Sequence, residues 1–299
     1  MSFVIYALLG LMPGDPMDAA LASNPDLSPA AIVHLRQIYG LDQPLASRYW
    51  HWLTAALSGD LGYSRLHQQP VLVVLGPALL QTARLMLLSF ALSVIAALAL
   101  GLASSLKPGG SIDTAINLFA FAGISVPVFW LALMMILVFA AELRWLPASG
   151  IGVVGKPSVA DEARHLVMPV LTLALVNTGA FIRYVRAAMI ETMRLDFIRT
   201  ARAKGASERR VVLVHAFRNA LIPVVTVMAL SFGSLFSGAL VTETMFAQPG
   251  MGKTIYDAIL GNDYNLALVG LLFAAVLTMV GNFGADILYA VLDPRIRLD

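Results

Sequence analysis

The chain has 299 residues, 59% of them hydrophobic and only 13% charged, with a formal net charge of +2 and a mean hydropathy of +0.79. About two soluble domains could be built from that length, but this composition belongs to a chain whose solvent is largely hydrocarbon. Cysteine is absent, which excludes disulfides, thiolate catalysis and cysteine-based metal sites.

The opening MSFVIYALLGLMPGDP carries neither a basic leader nor a small-residue cleavage site, so no cleaved signal peptide is expected. Its apolar stretch, Phe3 to Met12, covers only about 15 Å at 1.5 Å per residue. Residues 1–13 are therefore a partial first span or a segment that dips into the membrane. Residues 14–80 follow as an extramembrane loop in which SPAAIVHLRQIYGL and QPLASRYWHWLTAAL read as two amphipathic helices. Ser28 is placed to cap the first, with Pro29 in its first turn. Tyr49, Trp50 and Trp52 suit either a membrane interface or packing within that loop.

A membrane-crossing helix needs about 20 apolar residues. Five runs meet or approach that length: Leu85 to Leu106, Thr114 to Ala141, Leu166 to Ile182, Ala220 to Thr242 and Tyr264 to Ala285. Residues 81–292 thus make a five-span core, and 293–299 a polar tail. Pro127 and Pro169 interrupt the hydrogen-bond ladders of two of these spans and are expected to kink them. Orientation follows from the basic residues, which concentrate on the cytoplasmic side. The segment after the third run holds Arg183, Arg186, Arg194, Arg199, Arg202, Lys204, Arg209, Arg210 and Arg218 against Glu191, Asp196 and Glu208. It is expected inside, together with Lys107 to Asp113 and the tail, while the loops at 14–77, 142–165 and 243–263 are expected outside.

AQPGMGKT, Ala247 to Thr254, resembles a phosphate-binding loop, with strand-like GALVTETMF before it and helix-forming KTIYDAIL after it. It falls on the side opposite the Arg-rich segment, away from cytoplasmic ATP, and no βαβ unit surrounds it. GIGVVG, Gly150 to Gly155, fits a dinucleotide fingerprint but follows WLPAS rather than a strand and runs into Pro157. The histidines, His34, His51, His67, His165 and His215, lack metal-ligand spacing, and neither Gly-x-Ser-x-Gly nor His-Glu-x-x-His occurs. Among polar groups within spans, Asn177 and Asn282 either line a translocation path or bond between helices. Asp286 serves a proton relay, a structural ion pair or a position at the inner surface. Gly233 with Ser237, and Ser234 with Gly238, have the small-xxx-small spacing of close helix contacts.

The segment DFIRTARAKGASERRVVLVHAFRNALIP, Asp196 to Pro223, predicts a short helix over Phe197 to Lys204, a turn permitted by Gly205 at positive φ, and a second helix capped by Ser207. A basic loop that binds lipid headgroups needs only charge. Here the small residues Ala201, Ala203, Gly205 and Ala206 suggest a fit to a protein groove.

MPGDP, YGLDQPLASRYWHWL, SGDLGYS, SVPVFWLALMMILVFA, WLPASG, RTARAKGASERRVVLVHAFRNALIPVVT, ETMFAQPGMGKTIYDAI and LYAVLDPRIR occur in this order. Together they resemble the permease subunits of binding-protein-dependent ABC importers, in the oligopeptide/dipeptide/nickel branch, over essentially the whole chain. The resemblance implies an all-α membrane protein with the six-helix importer permease fold, here with a truncated first span, in the bacterial inner membrane. It implies import of peptides or a related small solute by alternating access, with no catalysis by this chain. It also implies a heterodimer with a second permease, two ATP-binding subunits that hydrolyse ATP with Mg²⁺, an extracytoplasmic solute-binding protein and surrounding lipid. Neither nucleic acid nor a cofactor bound by this chain is expected. The family's coupling loop maps onto residues 194–218: Arg199, Thr200, Ala201, Arg202, Ala203, Lys204, Gly205, Ala206 and Ser207, with Pro223 matching a downstream proline. Arg199 and Thr200 stand where the generic motif has Glu and Ala, so that Glu's salt bridge is not carried over. Pro249, Gly250 and Gly252 are implied to shape an outward-facing turn. An ion-coupled secondary transporter is the alternative, and apart from Asp286 the spans offer it little.

Overall fold

The computed structural model describes residues 1–11, 43–152, 158–232 and 235–292. Ser28, Pro29, Asp293 and the second half of GIGVVG lie outside these residues, as do the side chains of Asp286, Ser237 and Gly238 and the pair Gly233 and Ser234. Among the described residues the structure is helical apart from a two-stranded antiparallel ladder, β1 (Tyr63–Ser64) with β2 (Gln69–Pro70). The helices are α1 (Ser2–Gly10), α2 (Leu45–Leu57), α3 (Val71–Ser105), α4 (Ser111–Ser125), α5 (Val128–Met135) and α6 (Val159–Thr192). They continue with α7 (Asp196–Ala203), α8 (Glu208–Arg210), α9 (Arg218–Phe232), α10 (Leu235–Met245), α11 (Met251–Leu260) and α12 (Tyr264–Leu292). Two π-helical segments extend this set: Ile136–Glu142 prolongs α5, and Val211–Phe217 joins α8 to α9.

Four helical stretches are long and apolar enough to cross a membrane: Val71–Ser105, Val159–Thr192, Glu208–Ser231 and Tyr264–Gly284. The pair α4 and α5 meets the same test together but is bent by 104°. The bend is a complete break rather than the expected kink. Val126, just before Pro127, is forced into an extended conformation (φ −86°, ψ 123°), and Pro127 becomes the N-cap of α5. Pro169 instead stays inside an unbroken α6. The strand expected in GALVTETMF is absent, because residues 235–245 form α10. A helix satisfies its backbone internally, which a lone strand in apolar surroundings cannot do. α1, at nine residues, is about 14 Å long and does not cross a bilayer by itself.

The chain divides into two compact units, one comprising Met1–Leu79 with Thr254–Ala275 and the other Leu80–Lys253 with Val276–Asp299. In the first, α2 packs on α1 through aromatic rings: Phe3 meets Tyr49 edge-on at 5.1 Å, and Tyr6 lies 6.0 Å from Trp52. The Ser2 and Tyr49 hydroxyls are hydrogen-bonded at 2.8 Å. Tyr49 and Trp52 thus serve packing, whereas Trp50 stays 62% exposed. The β-ladder is tied to the turn before α12, where Asp263 accepts from the Ser64 hydroxyl and the Leu66 N–H, and Gly261 O accepts from Arg65.

The second unit holds an extensive apolar core. Phe181, Ile182, Val185 and Met189 of α6 pack with Ala97 of α3, Ala120 of α4, and Ala220, Val224 and Met228 of α9. α4 and α6 approach closely because Gly179 has no side chain: a Cβ there would overlap the carbonyl of Ala120. A buried carboxylate ties several of its helices together. Asp113, 4% exposed, accepts from Arg186 Nε at 2.6 Å and its NH2 at 2.7 Å. The Ser104 hydroxyl, the Gly109 N–H and Asn117 Nδ2 donate to the same carboxylate, so it is fully hydrogen-bonded. This clamp gathers the end of α3, the turn after it, α4 and α6.

Candidate functional site

Two constructions sit near opposite ends of α6. His165, close to its start, and Thr192, at its end, are about 40 Å apart along the axis.

At the C-terminal end the chain turns into α7, an eight-residue helix with one buried side chain, Ile198, which is fully enclosed with Val211, Val212 and Ala216. Ala201 and Ala206 pack on the same cluster. Their small size lets the helix and the following turn lie flat on the π-helical segment. The opposite face is exposed and carries Arg199, Thr200, Arg202, Ala203, Lys204, Gly205 and Ser207. Gly205 has φ +80°, as the turn required, while a Cβ there would meet nothing within 4 Å. The glycine is needed for backbone conformation, and the space around it is open. Closing bonds run from Lys204 N–H to Thr200 O (3.0 Å), Gly205 N–H to Arg202 O (2.9 Å) and Ala206 N–H to Ala201 O (3.2 Å). Across the turn, Arg202 donates to both carboxylate oxygens of Glu208, at 3.1 and 2.6 Å, and this hydrogen bonding raises the Arg202 pKa. Ser207 occupies the N-cap position of α8, but its side chain makes no capping bond, contrary to expectation; its carbonyl accepts from Val211 instead. Pro223 lies within α9. The projection is therefore a bracketed helix-turn-helix with a buried inner face and a polar, cationic outer face.

The other construction surrounds the AQPGMGKT turn. Pro249 is exposed, while Gly250, Met251 and Gly252 are buried. α11 begins at Met251, so this turn presents a helix N-terminus, as a phosphate loop would. The acidic side chain it holds is the chain's own. Glu243, fully buried near the end of α10, accepts from Lys253 N–H at 3.1 Å and from Gly252 N–H. The Thr82 hydroxyl of α3 also donates to Glu243. Beside it, Gln248, 1% exposed, accepts from Gln81 Nε2 at 2.7 Å and donates to Gly150 O at 2.6 Å and, at 3.4 Å, to His165 O. His165 O is the acceptor that Pro169, lacking an N–H, leaves without its helical partner. Gln248 supplies a long replacement donor at this break in the ladder.

Asn177 donates to Leu173 O on its own helix at 2.7 Å, and Asn282 is exposed on α12. Among the described residues no group of three or more His, Asp or Glu side chains is arranged to hold a metal. Sequence reading gave no partner to Thr82, Asp113, Arg186, Glu243 or Gln248, using Asp113 and Arg186 only to place inner segments. For Gln248 the available signal was Pro169, which leaves a carbonyl without its helical partner.

A family profile described as binding-protein-dependent transport system inner membrane component matches residues 89–298. The chain is 37% identical over 294 residues, 98% of its length and 92% of that protein, to the oligopeptide transport system permease protein AppB of Bacillus subtilis (strain 168). It is 36% identical over 296 residues, 99% of its length and 93% of that protein, to the glutathione transport system permease protein GsiC of Escherichia coli (strain K12). Among solved structures, a chain of the inward-facing MetNI methionine ABC transporter matches with a TM-score of 0.61 at 17% identity, covering 74% of this chain and 97% of that one. A chain of an amino acid ABC transporter matches with a TM-score of 0.53 at 14% identity, covering 72% and 92%. The structural matches share the fold.

Proposed function

We propose, for a chain that belongs to the family of binding-protein-dependent transport system inner membrane components and so acts as a multi-pass permease subunit of an ABC importer, that partner ATPases drive it through the projection around Gly205. The observation that carries this reading is the projection's two-sidedness. Ile198, Ala201 and Ala206 bind it to the helices that hold Phe181, Ala220 and Val224, while the face from Arg199 to Ser207 is presented outward. A displacement applied to that face is delivered to α6 and α9 through packed side chains rather than absorbed in a loose loop. The Arg-rich side faces the cytoplasm.

Two ATP-binding subunits dock there, a second permease completes the translocation path as a heterodimer, and an extracytoplasmic solute-binding protein delivers the solute at the opposite end. The solute is a di- or oligopeptide or a small peptide-like molecule such as glutathione, in keeping with the names of the relatives. Asn177 and Asn282 are assigned to the path, and Pro249, Gly250 and Gly252 to the outer turn. ATP and Mg²⁺ are used by the partner subunits; the Glu243 carboxylate at the start of α11 supports this, since it stands where a phosphate would be held. Purification of the assembled complex tests the reading. The chain should co-purify with two ATPase chains and a second permease and show no ATP turnover alone; ATP hydrolysis by the isolated chain would overturn it.

A further inference from the structure

Neither the importer family nor the projection assigns a task to Glu243, a fully buried side chain beside the outer turn. Three elements converge on its carboxylate: α3 through the Thr82 hydroxyl, the start of α11 through the N–H groups of Gly252 and Lys253, and α10, which carries it. Thr82 Oγ1 closes the circuit by accepting from Met251 N–H at 2.8 Å. The glycines are there for this carboxylate. A Cβ on Gly250 would fall within it, and one on Gly252 would come 3.0 Å from Oε2 and 2.7 Å from the Cα of Leu240. Thr82 and Glu243 are 1% and 0% exposed, so no water is at hand to take over a broken bond. Pulling α3 from α10 would leave a carboxylate and its donors unpaired in dry surroundings, a steep penalty. Opening this corner is therefore costly.

From this geometry we infer that Glu243 is a positioning residue for transport: it locks α3 and the start of α11 to the end of α10, so that motion of α10 also moves α3. The inference rests on the permease reading and assigns that machine an outer linkage whose integrity sets how much transport each ATP yields. It separates Glu243 from a residue that only supports folding, because loss of the linkage leaves ATP hydrolysis running.

The test uses the complete importer in proteoliposomes, with trialanine or glutathione as the solute probe, whichever the wild type takes up. Uptake by the wild type that depends on the solute-binding protein decides the permease reading separately, before any variant is compared. Thr82→Val, which removes one hydroxyl and keeps the shape, is expected to leave assembly and basal ATP hydrolysis within about twofold of wild type while uptake per ATP falls at least about fivefold. Thr82→Ser, which restores the hydroxyl, should return to within about twofold of wild type. Gly250→Ala should lower uptake per ATP in the native background but add no further loss when Glu243→Ala has removed the carboxylate it meets. Should Glu243→Ala fail to assemble, the Thr82 pair decides by itself. Undiminished uptake per ATP in Thr82→Val overturns the linkage, as does a parallel loss of uptake and basal hydrolysis, which would mark the corner as fold support alone.

Discussion

Breaking the Asp113–Arg186 clamp gives the sharpest stability prediction. Removing one partner of a buried, hydrogen-bonded ion pair costs about 3–5 kcal/mol. Arg186 keeps 27% of its side chain exposed, so a released guanidinium can reach water, and Asp113→Ala belongs at the low end, about 3 kcal/mol. Ser104, Gly109 and Asn117 also lose their shared acceptor, which keeps the cost from falling further. Arg186→Met strands a carboxylate that is only 4% exposed but leaves those three donors in place, so it too belongs at the low end, about 3 kcal/mol. With both residues replaced, neither charge is stranded, and the double variant should be about 2 kcal/mol more stable than the sum of the single losses implies. SDS-driven unfolding of the purified chain in mild detergent, followed by intrinsic Trp fluorescence, reads all four corners of the cycle. Additivity within about 0.5 kcal/mol would refute the clamp as an energetic unit.

Gly205→Asp places a side chain at φ +80°, a left-handed conformation costing about 1–2 kcal/mol for most residues and less for Asp. The chain should therefore insert and assemble normally, while ATP hydrolysis proceeds without uptake; normal uptake by this variant would sink the assignment of the projection. Gly179→Leu drives a side chain into the Ala120 carbonyl and should lower the stability of the solubilised chain by about 1–3 kcal/mol, read in the same SDS titration. Gln248→Leu removes the donors to Gly150 and His165, leaves Gln81 without its acceptor and should cost about 1–3 kcal/mol; no change in the SDS midpoint would mean Gln248 does not hold α6 at its proline.

The membrane class and most spans were legible because hydrocarbon demands long apolar runs, and the runs at Leu166, Ala220 and Tyr264 lie in helices that cover them almost entirely. α3, however, begins at Val71, upstream of the apolar run at Leu85. Gln81 and Thr82 hide that start from a hydropathy reading, and their polarity makes sense only once Gln248 and Glu243 stand opposite them. Prolines show the same limit. Pro127 breaks its span and Pro169 does not, and at Pro169 a donor, Gln248, lies far away in the chain and close in space. AQPGMGKT was legible as a turn running into a helix, but that Glu243 would fill it depended on how α10 folds back. Gly205 was readable from sequence alone, because its requirement is local: a left-handed turn after a short helix.

The central claim is that this chain forms part of a path worked by ATP hydrolysis in other subunits. The most direct measurement is uptake of trialanine or glutathione into proteoliposomes containing the complete complex, with solute-binding protein outside and ATP inside. The account predicts uptake that requires both and persists when ionophores collapse every ion gradient. Uptake that continues without ATP, or stops when the gradients are collapsed, would contradict it and return the chain to the ion-coupled class.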